Sequence, residues 1–145
     1  MRGSLSGLPF LSGLSASSVQ FLEKHARETQ IATGHLVLRE GEPGKDVFFV
    51  LSGSVRIYME GRGKERELAR MAEGGFFGEM GILDREGRCA SVQAVTDTKI
   101  VMLPYVAFDA LAEQQPADFA RMLKNLAREL VRRLRQLDDR FSTIT

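Results

Sequence analysis

Three observations predict a mainly β fold, a jelly-roll barrel with flanking α-helices. Short apolar runs recur between Gln30 and Leu103 at strand length, separated by glycine-rich turns. On both sides of this block the apolar spacing becomes helical, before Ala26 and again from Tyr105 onward. A chain of 145 residues suits one domain with a sizeable core. The expected architecture is therefore a barrel with a short helix in one of its loops, an N-terminal helix and two C-terminal helices.

The elements follow in chain order. Residues 1–14 read as an N-terminal leader or tail; Met1-Arg2-Gly3-Ser4 resembles an expression-vector leader, and Leu5 to Gly13 is apolar and glycine-punctuated. Ser15-Ala16-Ser17-Ser18 offers helix caps, and Val19, Phe21, Leu22 and Ala26 predict a short amphipathic helix to about His25. Gln30 to Gly34 and His35 to Arg39 read as two strands joined at a glycine. Gly41, Pro43 and Gly44 mark turns. Asp46 to Ser52 is a nearly continuous apolar run, as expected of a buried strand. After Gly53, Ser54 to Met59 alternates, Gly61 to Glu65 is a charged hairpin tip, and Glu67 to Met71 returns. Ala90 to Ala94 and Lys99 to Leu103 are two further strands. Residues 15–115 thus form the barrel with its flanking helices. Residues 116–145 add a long amphipathic helix of the same domain, with Pro116 in its first turn and Asp118 near its positive end. Its stripe is Phe119, Leu123, Leu126, Leu130, Leu134, Leu137 and Phe141.

The chemistry concentrates between Gly74 and Ala94. Gly74, Gly75, Gly78 and Gly81 leave backbone amides open to close approach. Glu79 to Leu83 is long enough for one helical turn, whose first N–H groups would be free to accept an anion. Arg88 follows nine residues after Glu79, and a guanidinium fork beside a row of amides suits a phosphate. Glu79 would repel a bare phosphate but accept from a sugar hydroxyl. Amides, arginine and one carboxylate together describe a nucleotide site. Taken singly, the glycines are equally hairpin turns, Arg88 a surface ion-pair partner of Asp84 or Glu86, and Glu79 a helix-dipole partner.

Phe77-Gly78-Glu79-Met80-Gly81-Ile82-Leu83 with Arg88-Cys89-Ala90-Ser91-Val92-Gln93-Ala94 closely resembles the phosphate-binding cassette of the cyclic nucleotide-binding domain family. That family includes the catabolite activator protein, protein kinase A regulatory subunits and cyclic-nucleotide-gated channels. Arg39 to Gly53 resembles the family's glycine-punctuated strand pair, so the likeness covers roughly residues 15 to 140. It implies that the short helix is a phosphate-site helix and that Arg88 pairs with the cyclic phosphate. Gly78, Met80 and Ala90 would lend backbone amides, and Glu79 would accept from the ribose 2′-hydroxyl. Cys89 stands where the family often has serine or threonine. Its thiol is a weak donor, which favours cAMP over cGMP as the regulatory ligand.

Composition sets the remaining bounds. A net charge of +1 gives no global drive toward nucleic acid or anionic membrane. No apolar run approaches the roughly 20 residues needed to span a bilayer, and no signal-peptide pattern opens the chain. Cys89 is the single cysteine, compatible with a reducing cytoplasm, and cytoplasmic localisation is expected. No nucleophile–base pair stands out, so no enzyme activity is expected. His25 and His35, ten apart, do not make the metal cluster of a cupin, so no metal is expected either. Val47, Phe49, Leu51, Leu83 and Val92 read as wall or core residues.

The long helix admits two readings: packing on the barrel, or contact with a second copy or an effector domain, since its stripe outruns a small barrel. Its arginines are diluted by Glu129, Asp138 and Asp139, so direct nucleic-acid contact is not expected. The function expected is a regulatory module whose C-terminal helices move on binding a cyclic nucleotide. Two alternatives remain. One is a fragment of a catabolite-activator-type regulator, since only four residues follow Phe141 and a helix-turn-helix would need more. The other is a jelly-roll interaction domain without ligand.

Overall fold

The computed structural model describes residues 5, 7–44, 46–78 and 90–144, with side chains to residue 136. A single 3-10 turn, Pro9–Leu11, precedes helix α1 (Ala16–His25). Among the described residues eight strands follow: β1 (Arg27–Ile31), β2 (Leu36–Leu38), β3 (Val47–Ser52), β4 (Val55–Gly61), β5 (Lys64–Met71), β6 (Phe76–Phe77), β7 (Ser91–Ala94) and β8 (Thr98–Leu103). Helices α2 (Tyr105–Gln114) and α3 (Pro116–Ile144) complete the chain. The strands form two four-stranded antiparallel sheets, ordered β1-β8-β3-β6 and β2-β7-β4-β5. Helices flank them, as the sequence predicts. The short helix expected within Glu79 to Leu83 lies outside the described residues.

Strand β3 explains why one run is apolar throughout. Successive side chains point to opposite faces, and both faces are covered. Val47 and Phe49 join the cluster formed with the helices, whereas Phe48 and Val50 join Val55, Phe77, Val92 and Ile100 in a second cluster that both sheets supply. Strand β8 divides the same way, Val101 and Leu103 to one cluster and Ile100 to the other. The turn from β3 to β4 needs glycine. Gly53 has φ +88°, and a Cβ there would stand 2.5 Å from the Asp97 carbonyl oxygen.

Three strands differ from expectation, each for a physical reason. β1 begins at Arg27, not Gln30, because it is an edge strand paired only with β8 and Arg27 to Gln30 are exposed, which removes the apolar signal. β5 begins at Lys64, so the hairpin tip shrinks to Arg62-Gly63. β6 is a strand that the glycines around it conceal; its two residues pair with Phe48 and Phe49. Of the segment read as a leader or tail, Leu5, Leu8, Phe10 and Leu11 are buried in the helix-side core. Apolar density, not glycine content, was the informative signal there.

Asp118 does more than complement the helix dipole. Its carboxylate accepts from the Ser15 hydroxyl at 2.6 Å, from the Ser15 N–H at 3.3 Å and from the Ser18 hydroxyl, so the start of α3 is tied to the N-cap of α1. The Ser15 and Ser18 hydroxyls hold its pKa below the ordinary carboxylate value. A depressed folded pKa contributes stability above the unfolded pKa, and that stability is lost as pH falls through the folded value. Asp118→Asn is therefore expected to lower Tm at pH 7, with the difference from wild type narrowing as pH falls below about 4. Thermal melts across pH 3 to 7, read as roughly spaced points, test this; a constant difference would contradict it.

Candidate functional site

The stretch that the sequence marks as a nucleotide site begins where one sheet ends and finishes where the other begins. Upstream, β6 pairs with β3, and the Phe48 and Phe77 rings stack at 5.2 Å with planes 6° apart. Gly74 N–H donates to the Val50 carbonyl and Val50 N–H to the Gly75 carbonyl, both at 2.9 Å. Gly78 follows directly, with φ +83°, a backbone conformation that glycine adopts without a Cβ clash. Downstream, Ala90 is half-buried and leads into β7, which lies between β2 and β4. Val92 pairs with Leu38 and Ile57, and Ser91 with Tyr58.

The Arg39 to Gly53 motif and the cassette are held to each other. The buried Ser91 hydroxyl accepts from the Glu40 N–H at 2.9 Å, and the Glu40 carboxylate accepts from the Glu60 N–H at 3.0 Å. Arg39 and Glu42, both well exposed, approach at 3.5 Å across the same turn. Thus the glycine-marked turn after β2 is anchored to the residue immediately after Ala90. The sequence places Ser91 in the cassette motif and Glu40 in the Arg39 to Gly53 motif but gives no sign that the two are bonded.

Of the six residues expected to bind ligand, Gly78 and Ala90 are described, one directly after β6 and the other directly before β7. Glu79, Met80, Arg88 and Cys89 lie outside the described residues. Val47, Phe49 and Val92 are buried core residues, as expected, and Leu51 packs against the core. Among the concavities that described residues line are the following. One, of about 900 Å³, runs between the N-terminal segment and α3; the other, of about 440 Å³, lies by Ile31 and Asp97. Neither is lined by Gly78 or Ala90. Among the described residues no group of three or more His, Cys, Asp or Glu is placed to hold a metal ion. No helix among them is long and apolar enough to cross a membrane.

The model of the cyclic nucleotide-binding domain family matches residues 28–115, which take in both motifs. The chain belongs to this family. The cyclic AMP receptor protein of Thermus thermophilus is 33% identical over 135 residues, covering 92% of this chain and 61% of the relative. A cAMP-dependent protein kinase regulatory subunit of Colletotrichum orbiculare is 39% identical over 87 residues, covering 59% of this chain and 22% of the relative. The crystal structure of a cyclic nucleotide-binding domain from Methylobacillus flagellatus KT superposes with a TM-score of 0.82 at 26% identity, covering 91% of this chain and 75% of that one. The chain spans less than two thirds of the length of either curated relative. In this cyclic nucleotide-binding domain, then, β6 of one sheet and β7 of the other border the stretch that the sequence marks as a nucleotide site.

Proposed function

We propose that this domain is a regulatory module that binds a cyclic nucleotide, cAMP in preference to cGMP, and passes the event to its C-terminal helices. One observation carries the reading: Gly78 follows directly on β6 of one sheet, Ala90 leads into β7 of the other, and Ser91 ties that second flank to the Arg39 to Gly53 motif. Residues 79–89 then supply the Arg88 guanidinium to the phosphate, backbone amides of Gly78, Met80 and Ala90 around it, and the Glu79 carboxylate to the ribose 2′-hydroxyl. Cys89 adds no strong donor, which favours cAMP. The role is regulatory, not catalytic, and takes no metal. That the T. thermophilus relative is a cyclic AMP receptor supports the choice of nucleotide. Calorimetric titration with cAMP, cGMP and 5′-AMP is expected to give tight binding of the cyclic nucleotides and weak binding of the linear one. Equal affinity for all three would overturn the reading.

The partner we assign to α3 is a second copy of this chain. Met122 and Leu126 are buried in the core, and Phe119, Leu123 and Leu130 pack against it, so half of the expected stripe serves the barrel. Val131 and Leu134 are 48% and 62% exposed on the same helix. Ala127, Val131 and Leu134, exposed and spaced by four and three, repeat as a coiled-coil seam does on the side that the barrel leaves uncovered. Sedimentation is expected to show a dimer that Val131→Glu with Leu134→Glu dissociates while the fold persists, because both side chains are already exposed. A wild type that stays monomeric at high concentration returns the stripe to barrel packing alone.

A further inference from the structure

Beside the apolar packing of α3 on Phe76, one polar side chain, Arg133, joins this helix to β6. Its Nη2 donates to the Phe76 carbonyl oxygen at 2.6 Å, and its guanidinium carbon lies 4.7 Å from the centroid of the Phe76 ring. Nη2 is also 3.9 Å from Met71 Sδ at the end of β5. On its own helix, Nε stands 3.4 Å from Glu129 Oε1. Glu129 is in turn paired with Arg132, and these arginines hold its carboxyl below the usual range against the opposing effect of burial. The carbonyl that Arg133 takes belongs to an edge strand. Among the described residues β6 pairs with β3 alone, and the Phe76 carbonyl finds its partner in a side chain. A planar fork can bond that oxygen and cover the ring beside it at once; a flexible ammonium cannot.

Position gives this contact its meaning. Phe76 immediately precedes Phe77, where the cassette motif opens, and its ring packs edge-on against Phe10 at 4.6 Å. Arg133 therefore holds β6 from the helix whose very next residue, Leu134, is exposed. We propose that Arg133 is the positioning residue that couples nucleotide binding to the placement of α3. Phe76 and Phe77 run directly into Gly78, so a ligand contact at Gly78 bears on β6. The Phe76 carbonyl then meets Arg133 in a different geometry, and the two arrangements of α3 differ in free energy. Because such coupling is reciprocal, the hold of Arg133 on β6 also sets part of the nucleotide's affinity.

This inference rests on the nucleotide-binding reading above, so the test measures binding and coupling separately. Calorimetry with cAMP reports whether ligand binds. Amide hydrogen exchange over residues 126–136, with and without saturating cAMP, reports whether α3 responds. Wild type is expected to bind and to change its exchange in that segment. Arg133→Gln is expected to bind still but to lose the ligand-dependent difference, and Arg133→Lys, without the fork, to lose most of it. A purely structural role would instead shift exchange equally with and without ligand. If wild type binds but α3 does not respond, or if either folded variant keeps the full difference, the coupling role is overturned while the binding reading stands. Absence of cAMP binding by wild type overturns both. Should Arg133→Gln fail to fold, Arg133→Lys decides the matter alone.

Discussion

Replacing Arg88 with alanine is expected to weaken cAMP binding by about 2–5 kcal/mol, or roughly 30-fold to several thousand-fold. The phosphodiester would keep the backbone amides of the cassette but lose its side-chain cation, and a partly desolvated anion without its partner is costly. Arg88→Lys should recover only part of the loss, since a point charge does not reproduce two parallel hydrogen bonds. Glu79→Gln keeps an acceptor and is expected to cost about 1–3 kcal/mol. A cycle with 2′-deoxy-cAMP separates the two contacts. The Glu79→Gln penalty should shrink when the partner hydroxyl is removed from the ligand, and the Arg88→Ala penalty should persist. Should folded Arg88→Ala bind cAMP as wild type does, the cassette assignment fails.

What the sequence shows well is what many neighbouring residues specify together. The β3 run of Val47 to Val50 reads as a buried strand because both of its faces are covered, and the spacing in α3 reads as a helix because its seam repeats over many turns. Glycines at turns are legible for a similar reason, as at Gly53, where the Asp97 carbonyl leaves no room for a Cβ. Edges are harder. β1 presents Arg27 to Gln30 to solvent and β6 is two residues long, so neither carries a periodic signal. The site is legible as a motif because its chemistry is local in sequence. Its anchors are not: Ser91 to Glu40 spans 51 residues and Arg133 to Phe76 spans 57, and nothing at either position alone announces its partner.

The N-terminal segment is the sharpest instance, and it sets the second large effect. Phe10 is 1% exposed, and its ring meets those of Phe49 at 5.2 Å, Phe76 at 4.6 Å and Phe108 at 6.2 Å, all edge-on. One ring thus joins β3, β6 and α2 beneath a segment whose glycines suggested a tail. Asn125 on α3 fastens the same segment, donating to the Phe10 carbonyl at 3.0 Å and the Ser12 carbonyl at 2.9 Å. Phe10→Ala removes the ring and leaves a cavity that three strands and helices cannot collapse independently. The expected loss is about 3–5 kcal/mol in urea unfolding, with Tm lower by roughly 10 °C or more. A dispensable tail would instead give a change within about 0.5 kcal/mol. Phe76 also bears Arg133 and precedes Gly78, so the surviving folded Phe10→Ala protein should bind cAMP more weakly than wild type, although Phe10 is not among the residues assigned to the ligand. Arg88→Ala should show the opposite division: affinity lost, Tm of the ligand-free protein little changed. A Phe10→Ala protein with wild-type Tm would mean that the helix-side core closes without its N-terminal ring.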